Sequence, residues 1–342
     1  MSFDPEAELA PVFAATRVVS PMAFTFEDGP VIQMQTADPA PRWQAPVAQG
    51  IGAMVQPLAT QYYQRCYLRP ATGGQPFSSP AYDPGFLERL SQANRARERW
   101  DAGWRIYQAQ SNGQVLVQKG EFSRAAMPGE YVVQTPGPPR VGQEVAIRAI
   151  REAREFQPGF YFCFGETLSD QFDEFDLVRV YFHATDTAVP ALLEGLTTAL
   201  NEAQVPYRLK CPSAPGFYQR ADAMVLYFGK RYSPVIGCLV KHLPGGVLGQ
   251  LRAPTPLFTR EVHPGVGVAD DPGNGESFGM HRCRLLAEGV LEAWRQGSQS
   301  VAARLEAVRR RFAVEGLDLN RPHLNAGSTD IFELAPDIRV AA

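Results

Sequence analysis

Arginine supplies 29 of the 33 basic residues in this 342-residue chain, and lysine only four: Lys119, Lys210, Lys230 and Lys241. Three of the four fall between positions 210 and 241. Arginine keeps its proton in a protein, whereas burial or neighbouring positive charge can make lysine give its proton up. A lysine retained in an arginine-dominated chain is therefore a candidate base. The stretch 204–242 holds Arg208, Lys210, Arg220, Lys230, Arg231 and Lys241 against the single acid Asp222, in a protein whose net charge is −3. Such local concentration suits a phosphate or carboxylate ligand, while nucleic acid needs a broader basic field. It makes a site only where several side chains share one face of their strands. His183 closes the apolar strand Val180–His183, where a ligand could reach it beside Thr185 and Asp186.

Other chemistries are weakly signalled. No two of the five histidines have metal-ligand spacing, so no metal site is expected. The loop Asp271–Gly279 contains G-x-G and leads into a helix with His281, Arg282 and Arg284, an arrangement that can aim backbone N–H groups at an anion. It lacks the third glycine of a dinucleotide site and the lysine of a phosphate-binding nucleotide loop. Neither a G-x-S-x-G elbow nor a Cys/His pair appears. Five scattered cysteines argue against a disulfide framework, and no signal or membrane-spanning run is evident, so a reducing cytosol is the expected compartment.

The elements that must position these residues are mixed. Hydrophobic residues make up 45% of the chain, ample for a large core. Residues 1–42 read as irregular with one short helix. Helices are expected at Val47–Tyr67 and from Asp83 or Pro84, with a flexible run at Ala71–Pro80 between them. A hairpin is expected around Asn112-Gly113, flanked by Trp104–Tyr107 and Val115–Lys119, and a third strand at Tyr131–Gln134. The segment Glu144–Phe156 suits either strand or helix. Strands are expected at Phe160–Phe164, Leu177–His183, Tyr207–Cys211 and Ala223–Phe228, and a helix at Val189–Ala203. Leu251–Gly275 reads as loop, and two helices follow, near Glu276–Gln296 and Ser298–Val314. The class is α+β: a central, mostly antiparallel sheet with flanking helices, a helix-rich N-terminal part and a C-terminal helix pair. The prolines at 136–139 suggest a boundary between an N-terminal subdomain, 1–140, and an α+β subdomain with a basic cleft, 141–342.

Several strings resemble the HopA family of type III secreted effectors and its relatives in bacterial natural-product clusters. They are Asp101–Arg105 with Asn112–Glu121, then Gly159–Glu166, Val180–His183, Ala223–Tyr227 and, most specific, Thr255–Arg284. The resemblance implies a phospho-Ser/Thr lyase of class V lanthipeptide and thioamitide pathways. Its substrate would be a precursor peptide phosphorylated by a separate aminoglycoside-phosphotransferase-like kinase. A second resemblance, to effector phosphothreonine lyases, rests on Tyr181-Phe182-His183, Tyr207–Lys210 and Leu226–Lys230. Tyr181 replaces a lysine of that pattern, and Lys230 comes one residue late. Together they imply Lys210 as base, His183 as acid and Tyr227 as orienting group. Arg208, Arg220, Lys230, Arg231 and Arg282 would bind phosphate, with neither metal nor organic cofactor. The rival reading is a non-catalytic scaffold that binds the phosphopeptide or the kinase, or an effector-like interaction protein.

Overall fold

The computed structural model describes residues 3–34, 46–70, 83–133, 135–169 and 171–334. The expected flexible run at 71–80 lies outside them. Helix α1 (Pro5–Ala15) opens the chain, N-capped by Asp4, and is followed by a small antiparallel sheet, β1 (Thr16–Ser20), β2 (Ala23–Phe26) and β3 (Ile32–Gln33). That sheet replaces the irregular stretch expected there. Helix α2 (Pro46–Tyr62) runs into a π-helical turn, Tyr63–Tyr67. Asp83 caps α3 (Pro84–Ala93) by accepting from Phe86 N.

Five strands come next: β4 (Arg99–Ala109), β5 (Val115–Lys119), β6 (Phe122–Ala126), β7 (Tyr131–Val133) and β8 (Glu144–Ala149). They form an antiparallel sheet ordered β6-β5-β4-β8-β7, with Gly113 at φ +85° in the expected hairpin turn. Its core is Trp104, Ile106, Val115, Val117, Val145 and Ile147. Asp101 pins it, accepting from the Trp104 indole at 2.7 Å and from Lys119 Nζ at 3.0 Å. Lys119 and the Asp101–Arg105 string are thereby given a structural task. The boundary expected near residue 140 falls inside this sheet, between β7 and β8.

The principal sheet takes in β9 (Glu152–Ala153), β10 (Phe160–Phe164), the strand β11 (Leu177–Phe182) after helix α4 (Gln171–Phe175), and, after helix α5 (Val189–Glu202), β12 (Arg208–Pro212) and β13 (Met224–Gly229). Helix α6 (Ser233–Lys241) precedes the hairpin β14 (Arg260–His263) and β15 (Val266–Asp270); helices α7 (Phe278–Arg295) and α8 (Val301–Val314) end the fold. The seven strands are ordered β14-β15-β11-β13-β12-β10-β9, every pair antiparallel. The class is α+β, as the sequence indicates. The β14–β15 hairpin is a correction: prolines and glycines made 251–275 read as loop, yet the prolines fall outside both strands and Gly267 is accommodated within β15.

Alternation along these strands sorts the side chains onto two faces. Tyr161, Val180, Leu209 and Leu226 join Leu90 of α3, Leu192 of α5 and Ile236 of α6 in one core. Tyr181, Val225 and Ala269 face the other way, into a second core with Leu58 of α2, Phe278 of α7 and Phe312 of α8. The sheet is thus sandwiched between two helical layers. Among the described residues no helix is long and apolar enough to cross a membrane.

Candidate active site

On the second face the strand register lines side chains up in rows. Phe164, Arg208, Tyr227, Arg179 and Ala269 form one cross-strand row; Phe162, Lys210, Val225, Tyr181 and Gly267 form the next. Where the helical layer stops short of these rows a cavity of about 310 Å³ opens. Arg179, Tyr181, Lys210, Arg220, Asp222 and Tyr227 line it, with Tyr63 and Tyr67 above. The π-helical turn supplies those two tyrosines, stacked with centroids 5.1 Å apart. Such turns recur at functional sites. Gly279, early in α7, allows this packing: a Cβ there would lie 2.4 Å from the Tyr67 ring.

Lys210 enters the cavity with little to hold its charge. Its Nζ donates to Gln157 Oε1 at 2.7 Å and lies 3.9 Å from the centre of the Phe160 ring, and it has no carboxylate partner among the described residues. Burial pushes its pKa down to about 8; Asp222 opposes that shift, and Arg220, Arg179 and Arg208 reinforce it. An amine titrating there is available as a base near neutral pH.

The guanidiniums are arranged differently. Arg220 pairs with Asp222 through both carboxylate oxygens, Nη2 to Oδ2 at 2.8 Å. The Tyr63 hydroxyl bridges them, accepting from Arg220 Nη2 at 3.0 Å and donating to Asp222 Oδ2 at 3.3 Å. Arg179 is tied to Asp271, Nε to Oδ2 at 2.6 Å. Arg179 and Arg208 both lie over the Tyr227 ring, 5.2 and 4.9 Å from its centre. Arg208 has no acidic partner among the described residues. The Tyr181 hydroxyl is buried in the cavity wall beside Tyr67 and Arg179, and burial pushes its pKa up.

Lys210, Arg220 and Tyr227 are therefore brought together, with Arg208 on the Tyr227 ring. The other four expected residues are not. His183 sits one row further along the same face, outside the cavity lining. Its Nδ1 lies 2.9 Å from the Pro254 carbonyl, so that nitrogen carries the proton and donates. Burial lowers its pKa, leaving a neutral ring poorly suited to the acid role. Lys230 is buried against Asp270 Oδ1 at 3.0 Å and contacts Ser328. Arg231 pairs with Asp173 at 2.9 Å. Arg282 is fully buried; it donates to the carbonyls of Pro322 at 2.8 Å and Leu324 at 3.0 Å and to His281 Nδ1 at 2.6 Å. These three hold the C-terminal segment and α4 in place. A cation in a sequence does not reveal which acid or carbonyl folds against it.

Residues the sequence reading passed over are Tyr63, Tyr67, Gln157, Arg179, Tyr181 and Asp222. Arg179 and Tyr181 could have been found, since they alternate with His183 along one expected strand. Tyr63 and Tyr67 come from a helix distant in sequence.

The model of the HopA1 effector protein family matches residues 152–324, half of the chain and the whole of the principal sheet. The chain belongs to that family. Two solved structures are similar to this HopA1 family member. One is the effector protein from Pseudomonas syringae pv. tomato strain DC3000, with 17% identity over 78% of this chain and 90% of that one, TM-score 0.44. The other is the effector protein from Pseudomonas syringae pv. syringae strain 61, with 13% identity over 80% of this chain and 97% of that one, TM-score 0.42. No curated protein matches the sequence. The cavity residues Arg179, Tyr181, Lys210, Arg220, Asp222 and Tyr227 all fall within the span of the HopA1 family match, whereas Tyr63 and Tyr67 lie before it.

Proposed function

We propose that this HopA1-family protein is a phosphoserine/phosphothreonine lyase that eliminates phosphate from a phosphorylated precursor peptide. The products would be dehydroalanine or dehydrobutyrine in ribosomal peptide natural-product biosynthesis. Its partners in this reading are the precursor peptide and the aminoglycoside-phosphotransferase-like kinase that phosphorylates it. The observation that carries the reading is Lys210, an amine with no carboxylate partner among the described residues, its pKa pushed down to about 8, in a cavity edged by guanidiniums.

The chemistry needs a base for a weakly acidic Cα proton and positive charge for the enolate and the departing phosphate. Lys210 Nζ takes the Cα proton, the electron pair forms the Cα–Cβ double bond, and the Cβ–O bond breaks toward phosphate. Arg208, free of any acidic partner among the described residues, and Arg220 hold the phosphoryl oxygens. The departing oxygen must gain a proton. The Tyr181 hydroxyl, kept protonated by its burial in the cavity wall, is the donor we assign in place of His183, and solvent restores its proton.

Purified protein incubated with a phosphoserine peptide should release a product lighter by the mass of phosphoric acid. Lys210→Met should bind the peptide and leave it intact. The scaffold alternative draws on one observation, that none of the described residues lining the cavity is a histidine. It expects tight binding with the wild-type protein leaving the phosphopeptide unchanged.

A further inference from the structure

We infer that a second cavity beside the first binds an uncharged apolar side chain of the peptide, two residues away from the phosphorylated one. This rests on the phosphopeptide reading above and extends it to substrate selection.

The second cavity, about 130 Å³, has room for one side chain. Its walls include Phe164, Leu168, Leu177, Pro206, Tyr207 and Phe228. Tyr227 lines both cavities, so they share a wall. Arg208 lines the second and Lys210 the first, two positions apart on β12 and on the same face of the sheet. That step is about 7 Å along a strand, and an extended peptide presents alternate side chains to one side at the same interval. A peptide lying along β12 with its phosphorylated residue at Lys210 brings the side chain two residues away to the second cavity.

The lining decides the chemistry of the occupant. Arg208 and the exposed Glu174, which accepts from Ser169 Oγ at 2.8 Å, both line this cavity, so their opposite charges give no net preference for either sign. A charged side chain would still enter an apolar wall that cannot solvate it. A leucine- or phenylalanine-like side chain meets no such objection and gains the burial. Thr167, half-buried on the loop 165–169, also lines this cavity.

The test uses the full-length protein and peptides containing α-methylphosphoserine, which lacks a Cα proton and cannot be eliminated. Leucine, glycine or aspartate is placed two residues before or two residues after that position, and dissociation constants are measured. At one of the two positions leucine should bind at least about tenfold tighter than glycine, and aspartate weaker than glycine. Thr167→Trp, which fills the second cavity, should reduce the leucine peptide to the affinity of the glycine peptide. Equal binding of leucine and glycine at both positions, a preference that survives Thr167→Trp, or no binding by any peptide would overturn the inference. The ordinary phosphoserine parents report separately. If they stay intact while the leucine preference holds, the lyase reading fails and the subsite stands.

Discussion

Lys210 and Lys230 are near neighbours in sequence, yet the fold gives their identical amines opposite fates. Lys210 leaves β12 toward a cavity and finds an amide oxygen and an aromatic ring. Lys230 follows β13 into a buried pair with Asp270, beside Ser328 of the C-terminal segment. The same division separates Arg208 from Arg231 and Arg282. What distinguishes a reactive cation from a structural one here is whether the chain returns an acid or a carbonyl to face it. Asp270, Asp173 and the carbonyls of Pro322 and Leu324 make that return at Lys230, Arg231 and Arg282. Among the described residues, no acid does so at Lys210 or Arg208.

Exchanging the two lysines for methionine should break the molecule in two different ways. Lys210→Met should lower the elimination rate by about a hundred- to ten-thousandfold, followed by mass spectrometry, with an unchanged urea midpoint. Lys230→Met leaves Asp270 buried without its cation and should cost about 3–5 kcal/mol of stability in urea unfolding. Adding Asp270→Asn should recover part of that loss. A Lys230→Met protein with full stability and no activity would reverse the roles assigned to the two amines.

A smaller effect is expected at Arg208. Arg208→Gln should weaken phosphopeptide binding by about tenfold or more, because no acid among the described residues competes with the phosphate for its charge. Asp222→Asn probes the electrostatics. The negative charge of Asp222 favours the ammonium form of Lys210, so its removal favours the neutral amine and lowers the pKa below about 8. The rising limb of the pH–rate profile should shift to lower pH. A shift to higher pH would mean that another group controls the limb. The smallest change is expected at His183. Gln can donate to the Pro254 carbonyl as the imidazole does, so His183→Gln should alter the rate by less than about threefold, within the range of an ordinary polar replacement.

The sequence revealed β10 to β13 of the principal sheet and the C-terminal helix pair because their apolar periodicities are uninterrupted. It also showed that Lys210, Arg220 and Tyr227 belong to one basic region. It could not show which members of that region were already answered. Asp270, Asp271 and Asp173 approach from other segments, and no local pattern announces those pairings. The tyrosines of the π-helical turn were hidden for the same reason: they reach the cavity only after α2 packs on α7. The N-terminal sheet and the β14–β15 hairpin escaped notice because short strands between prolines and glycines carry too little alternation to read.

The central claim is that one amine in this chain loses its proton near neutrality. With only four lysines present, the side-chain carbon next to each amine can be followed by carbon NMR across a pH titration of the folded protein. One of the four signals should inflect near pH 8 and be missing from Lys210→Arg. Four signals that all stay in the charged position well past that pH would contradict the account.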